Sequence, residues 1–377
     1  MGAWPGKHII GLTGNIATGK SVVRKMLEHL GAYGIDADAL SHRAIAKGAP
    51  GYQAVVDTFG RWILTPDEQI DRTRLGKIVF ADPAALTRLE AIVHPLVRQA
   101  IDILVRRAPH KVIVIEAIKL LEGPLRNACD TIIVTHASTP VQIVRLINKR
   151  GMTEQAARQR ITAQPPQEEK LAAADFVIKN DGNFEDTWRQ VQETWYHMFP
   201  ATEPAVDVKA SVRKGEMVVE KARPRQAGEI AALIARLTDN KRTPTSADIM
   251  AAFGEKAYLL LKVDSISLGL AGWQVENLVA RTNEVYLDSR LPFASAMKKI
   301  MEEIEMTSKD LQCEVSLLFL PPHLARHRDI WSSLGYEVRS AGSLGVRAWE
   351  EAVQESMPSG TVLLFKQLRK DRVLRPV

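Results

Sequence analysis

The stretch Gly14-Asn15-Ile16-Ala17-Thr18-Gly19-Lys20-Ser21 fits the pattern G-x-x-x-x-G-K-[ST] and constrains this chain more than any other feature. Glycines let the backbone curl so that successive N–H groups point inward at phosphate oxygens. A helix that opens at the end of such a loop adds its positive N-terminal pole. Lys20 is placed to reach the β- and γ-phosphates of a nucleotide, and the Ser21 hydroxyl to ligate Mg²⁺. The pattern means this only between a strand and a helix. The apolar run Ile9–Thr13 predicts the strand, and the spacing after Ser21 predicts a helix to Leu30.

The same reading continues along residues 8–199. Tyr33–Asp36, Val112–Ile115, Thr131–Thr135 and Phe176–Lys179 read as short buried strands. Helical patterns run from Pro83 to about Arg106 and over Val141–Arg150, Glu154–Ala163 and Asn183–Met198. Apolar runs alternating with helices predict an α/β fold, a parallel sheet built from βαβ units. The pattern stops near Pro200. Residues 200–215, with Pro200 and Pro204, read as a linker. Strand and helix signals in a different order then occupy 216–377 and predict an α+β domain. With 377 residues the chain is long enough for two cores, so 1–199 and 216–377 are expected as separate domains.

The charge excess is mild, 50 Lys and Arg against 44 Asp and Glu, and no dense basic stripe with interleaved aromatics appears. That suits anionic small molecules and predicts no nucleic-acid partner. Cys129 and Cys313 have no metal-type or redox-type spacing, which fits a reducing cytoplasm. No apolar run reaches the length of a bilayer span, so no membrane association is expected.

A phosphate loop says nucleotide but not acceptor. The short length of the 8–199 stretch and the lack of an Asn-Lys-x-Asp guanine reader favour a small-molecule kinase. Ile35-Asp36-Ala37-Asp38 follows the second strand, where an open α/β sheet carries its ligands. A carboxylate there can take the proton of an attacking hydroxyl. By spacing alone, Asp38 could equally be the N-cap of a helix over 39–47.

Several further stretches complete an ordered set: Asp71-Arg72, Leu75-Gly76, Val79-Phe80, Leu89 to Pro95, Leu120 with Glu122, Arg145, Arg150, Arg160-Ile161, Gln164, Glu168-Glu169-Lys170 and Asn180. In this set residues 8–199 resemble the dephospho-coenzyme A kinases. The resemblance implies a P-loop kinase with a helical lid that transfers the γ-phosphoryl of ATP to the ribose 3′-hydroxyl of dephospho-coenzyme A. It implies ATP and Mg²⁺ as cofactors and dephospho-coenzyme A as the small-molecule partner. Carried onto this chain, Lys20, Asp38 and Arg145 are expected to be catalytic. Gly14 to Val22 and Arg150 are expected to bind ATP, Ser21 to meet the metal, and Asp36, Arg72, His94 and Glu122 to bind substrate. A planar guanidinium suits the lid because it grips phosphate oxygens bidentately. Arg145 and Arg150 could also solvate an exposed helix, Arg72 could pair with a helix end, and His94 could turn the chain. A histidine before Pro95 is expected to be extended. Two departures stand out. Ser21-Val22 replaces the family's usual Ser-Thr, and Ile118-Lys119-Leu120 replaces Pro-Leu-Leu, with Glu116 ahead of it.

Residues 216–370 more weakly resemble a GNAT-type acyltransferase. The order of elements and Ile330 to Glu337, with a Leu-Gly-Tyr ending, carry the likeness. The family's glycine-containing pyrophosphate loop reads Arg290-Leu291-Pro292-Phe293-Ala294-Ser295 here. Phe293 stands at a glycine position and Pro292 removes a donor. A degenerate GNAT-like domain that meets an unknown partner or senses coenzyme A is therefore expected over an active one. Tyr336 reads either as an acid near a leaving thiolate or as a core tyrosine. The competing readings of the whole chain are a bifunctional kinase and acetyltransferase, or an ATP-binding regulatory module.

Overall fold

The computed structural model describes residues 3–200, 215–371 and 373–374. Most of the expected linker, residues 201–214 with Pro204, lies outside them.

In chain order the first sheet contributes β1 (His8–Thr13), β2 (Tyr33–Asp36), β3 (Val112–Glu116), β4 (Thr131–His136) and β5 (Phe176–Lys179). They lie in the order β2-β3-β1-β4-β5. β1 pairs in parallel with β3 and β4, and β4 with β5. A central parallel strand is covered on both faces, so its residues should be apolar throughout. Ile9, Ile10 and Leu12 of β1 are accordingly buried. The helices of this part are α1 (Lys20–His29), α2 (Ala37–Ala44), α3 (Tyr52–Phe59), α4 (Arg72–Ala81), α5 (Pro83–Arg107), α6 (Thr139–Arg150), α7 (Glu154–Thr162), α8 (Gln167–Ala172) and α9 (Phe184–Met198). Val23, Met26 and Leu27 of α1 pack with Ile10 and Leu12 of β1, Val114 of β3, Ile133 of β4 and Trp195 of α9. That core fixes the helix that follows the phosphate loop.

The second sheet holds β6 (Met217–Lys221), β7 (Ala257–Val263), β8 (Ile266–Glu276), β9 (Val279–Leu287), β10 (Val315–Leu320), β11 (Glu337–Val338) and β12 (Val362–Gln367). Its order is β11-β12-β10-β9-β8-β7-β6, five strands side by side in chain order with the last two exchanged at the edge. Its helices are α10 (Ala227–Leu237), α11 (Ser246–Ala252), α12 (Phe293–Asp310), α13 (Pro322–Ala325), α14 (Arg328–Ser333) and α15 (Arg347–Ser356). This is the α+β arrangement that the acyltransferase resemblance implies.

The chain forms two compact units, and each draws on both halves of the sequence. One contains Met1–Gly34, His110–Gln274 and Thr282–Met306; the other contains Ile35–Pro109, Val275–Arg281 and Thr307–Val377.

One local expectation fails. His94 is not extended: it lies within the continuous helix α5, with Pro95 inside it, and is exposed. The preference of a pre-proline residue is statistical. Here Val93, Val97, Ala100, Ile101 and Leu104 bury one helical face, and that packing outweighs it. The helix also starts well, with Asp82 accepting from the Ala84 amide at 2.8 Å and proline in the first turn.

Candidate active site

The phosphate loop lies between β1 and α1. Two of its glycines are dictated by space and conformation. Gly14 has φ 151°, and a Cβ there would lie 2.4 Å from Thr135 Oγ1. Gly19 has φ 93°, and a Cβ would lie 1.9 Å from Asn180 Nδ2. Both are left-handed or nearly so, and both meet a neighbour that leaves no room for a side chain. Thr18 is buried and its hydroxyl lies 2.7 Å from that of Thr135 on β4. Lys20 is 8% exposed, and its Nζ donates back to the carbonyl oxygens of Gly14 and Asn15 at 3.1 and 3.2 Å. The ammonium is thus held over the loop's own curve, where a polyphosphate would lie.

The Ser21 hydroxyl donates to Glu116 Oε1 at 2.9 Å. Glu116 ends β3, opposite Leu12 of β1, and is buried. Its other oxygen accepts from Arg24 Nε at 2.8 Å. Arg24 in turn reaches Glu28 at 2.7 Å. A buried carboxylate needs such partners. The arrangement puts a hydroxyl and a carboxylate, both hard oxygen donors, side by side at the mouth of the loop. That donor set fits Mg²⁺. Glu116 was visible in the sequence only as a residue next to a departure. The available signal was a carboxylate closing a buried strand that neighbours the loop strand.

Helix α6 grips the loop tip. Gln142 Nε2 donates to the Ile16 carbonyl at 2.7 Å, and Arg145 Nη1 to the Ala17 carbonyl at 3.2 Å. Arg145 Nη2 donates to the Asn180 carbonyl at 2.8 Å. The guanidinium is half-buried, and burial lowers its pKa from its ordinary value. Beyond α7, Gln164 Oε1 accepts from the Ile16 amide at 2.7 Å and Pro165 from Asn15 Nδ2 at 2.9 Å. Ile16, Ile143, Leu146 and Ala157 form a small core, with Ala17, Met152 and Ile161 against it. The candidate lid is therefore packed onto the phosphate loop. Asn180 Nδ2 also donates to the Thr18 carbonyl at 3.0 Å, and Thr187 on α9 donates to Asn180 Oδ1 at 3.0 Å. Asn180 thus links the loop, Arg145 on α6 and α9, a role that its place in the sequence did not disclose.

The remaining expected residues lie on other elements. Arg150 ends α6 and is exposed. The helix cap at α2 is Asp36, which accepts from the Ala39 amide at 2.8 Å. Asp38 lies in the first turn of α2, half-buried, and is not the cap. Arg72 opens α4, whose cap is Asp71, and its Nη2 lies 3.8 Å from Glu351. Glu122 is exposed, 3.9 Å from the buried Lys170. Lys119 lies in the turn after β3; its neighbour Ile118 accepts from Lys170 Nζ at 2.6 Å.

In the acyltransferase-like part, Arg290 is engaged by Asp288 through two hydrogen bonds of 2.8 and 2.7 Å. Asp288 also takes Arg236 at 2.9 Å, and these bonds hold its carboxyl far below the usual range. Arg290, the cation expected at the pyrophosphate loop, thus has a carboxylate beside it. Tyr336 is buried and donates to Ser316 Oγ at 2.9 Å, the core role of the two considered. Gly335, at φ 79°, ends α14 as a helix C-cap glycine does.

Residues 8–186 match the family model described as dephospho-CoA kinase. The chain is 41% identical over 196 residues to the dephospho-CoA kinase of Geobacter sulfurreducens, covering 51% of this chain and 100% of the relative. It is 46% identical over 187 residues to that of Streptomyces avermitilis, covering 49% of this chain and 91% of the relative. Among solved structures, a GNAT-family acetyltransferase from Staphylococcus aureus matches 41% of this chain and 100% of its own, at 12% identity and a TM-score of 0.34. With the loop Gly14–Ser21 between β1 and α1 and relatives more than 40% identical matched over 91–100% of their own length, this chain belongs to the dephospho-CoA kinase family.

Proposed function

We infer that the chain transfers the γ-phosphoryl group of ATP to the ribose 3′-hydroxyl of dephospho-coenzyme A. The observation that carries the reading is the loop Gly14–Ser21, closed around Lys20, braced by Arg145 and joined through Ser21 to Glu116. We assign the kinase to residues 1–199, with 216–377 as the acyltransferase-like part. The loop amides and Lys20 hold the β- and γ-phosphates. Ser21 and Glu116 would hold Mg²⁺, which when bound neutralises phosphate charge. Asp38 takes the proton of the acceptor hydroxyl. The hydroxyl oxygen forms its bond to the γ-phosphorus as the bond to the bridging oxygen breaks, and ADP departs with that electron pair. Arg145, fixed beside the loop, stabilises charge on the transferring group, and Arg150 is the second cation of the lid. Asp36 orders α2 below Asp38, while Arg72 and Glu122 serve the substrate side. His94, on an exposed helical face, is the weakest member of that set. Cys129 and Cys313 form no disulfide with each other, which suits a reducing cytoplasm.

The test is ADP formation with and without dephospho-coenzyme A, with mass spectrometry of the product. Acceptor-dependent ADP and a 3′-phosphorylated product are expected. ADP formation that ignores the acceptor sinks the reading and leaves an ATP-binding module. The pairing of Arg290 with Asp288 weighs against acetyl transfer.

A further inference from the structure

Arg43 lies in the last turn of α2, five residues beyond Asp38. Its Nη2 donates to Glu314 Oε1 at 2.7 Å and its Nη1 to the Asn277 carbonyl at 2.7 Å. The two side chains are 10% and 1% exposed, so the pair is desolvated. Glu314 is itself immobilised. Its second oxygen accepts from Trp349 Nε1 at 3.2 Å. Its amide donates to the Leu278 carbonyl at 2.7 Å, and its carbonyl accepts from the Leu368 amide at 2.8 Å and the Arg369 amide at 3.2 Å. Glu314 is thus a fixed point supplied by the acyltransferase-like sequence.

Helix α2 is eight residues long. So short a helix has little stability of its own, and its placement is set by its surroundings. Its start is ordered by Asp36, and its end is held by the Arg43 fork. A buried ion pair is a poor source of net stability, since desolvation consumes most of the attraction. What a guanidinium fork between a fixed carboxylate and a fixed carbonyl supplies is direction. We propose that Arg43 and Glu314 are positioning residues for phosphoryl transfer: they set the place of α2 and hence of the Asp38 carboxylate. The acyltransferase-like sequence thereby contributes to the acceptor side of the kinase through a contact. The inference rests on the reading of Asp38 as the acceptor base.

The test uses the full chain. Transfer to dephospho-coenzyme A and acceptor-independent ATP hydrolysis are measured together, with far-UV circular dichroism to count folded protein. Glu314→Gln keeps the shape and an acceptor for Trp349 but removes the charge. Transfer kcat is expected to fall about tenfold or more, as small misplacements of a reacting group do, with KM for ATP and the hydrolysis rate within about twofold of the parent. Arg43→Lys, which keeps the charge but not the fork, should recover part of the transfer. If a single variant does not fold, the apolar pair Arg43→Met with Glu314→Leu removes both charges together and is expected to show the same selective loss. An unchanged ratio of transfer to hydrolysis in folded Glu314→Gln or in the apolar pair overturns the proposal. So does a proportional fall of both rates, which is what plain loss of folded enzyme gives. Asp38→Asn is assayed alongside. If it loses transfer while Glu314→Gln does not, the positioning role alone fails. If it keeps transfer, the Asp38 reading fails and takes the inference with it.

Discussion

His29, on the last turn of α1, donates from Nε2 to the Phe253 carbonyl at 2.7 Å and meets the Phe253 ring edge-on at 5.5 Å. Burial, aided by the nearby positive charge of Lys221, pushes its pKa down to about 4. The folded state therefore binds fewer protons than the unfolded chain between about pH 6.5 and 4. Stability from this site is fully present above about pH 6.5 and is lost as pH falls through that window, by about 3 kcal/mol at most. Glu28 is also depressed, to about 2: burial opposes the shift, and Lys25 and Arg24 outweigh it. Its contribution is lost in the next window down, below about pH 4.5. Urea unfolding of the full chain from pH 7 to 5 should show a decline that His29→Gln flattens; an equal slope in both proteins would remove His29 as its source. At the site itself, Lys20→Ala should cost several powers of ten in transfer, since one charged contact to the transition state is worth roughly 3–4 kcal/mol. Near-normal turnover in a folded Lys20→Ala protein would end the phosphate-loop assignment. Asp38→Asn should lower kcat about a hundredfold with little change in Tm, because the helix cap is Asp36.

At the scale of elements, the turn after α11 accounts for one departure from the family pattern. A Cβ on Gly254 would lie 3.2 Å from Val22 Cγ1, from Phe184 Cε2 and from the Ala251 carbonyl oxygen. Val22 is the residue that stands where the family usually has a second hydroxyl. It faces an apolar turn here, beside Phe184, which also packs against the core of Phe253 and Tyr258. A hydroxyl there would replace a methyl group in that apolar contact. Val22→Thr is expected to destabilise the full chain by about 1–2 kcal/mol in urea titration while leaving KM for ATP nearly unchanged. A gain in stability would show that the turn supplies a partner after all. Helix α6 touches the same region, with Lys149 Nζ 3.0 Å from Glu255 Oε1. Both side chains are mostly exposed, so the pair adds little to stability.

For the whole molecule, each compact unit contains segments from before and after the expected linker. The buried Arg43–Glu314 pair and the His29–Phe253 contact tie those segments together within their units. Removing one side of a buried ion pair typically costs about 3–5 kcal/mol. The parts of the chain before and after the expected linker are therefore not expected to unfold as two separate calorimetric transitions. Two resolved transitions, the lower one matched by residues 216–377 alone, would show that the two halves fold independently.

The sequence by itself determined the phosphate loop, the strands around it and the family of the kinase part, because these depend on local chemistry. A glycine that must curl, a lysine that must reach phosphate and a strand buried on both faces leave short, ordered signatures. The strand-and-helix series after residue 215 was legible for the same reason. Short helices such as α3, α4, α11 and α15 were not legible, since helices this short draw their stability from neighbours more than from propensity. Only the tertiary structure showed that Asp36 rather than Asp38 caps α2, that Glu116 holds Ser21, and that Asn180 joins the loop to α6. Only the tertiary structure, too, brought Arg43 to Glu314 across 271 positions of chain. A buried charge pair is chosen by geometry and desolvation, and neither leaves a periodic mark in the order of residues.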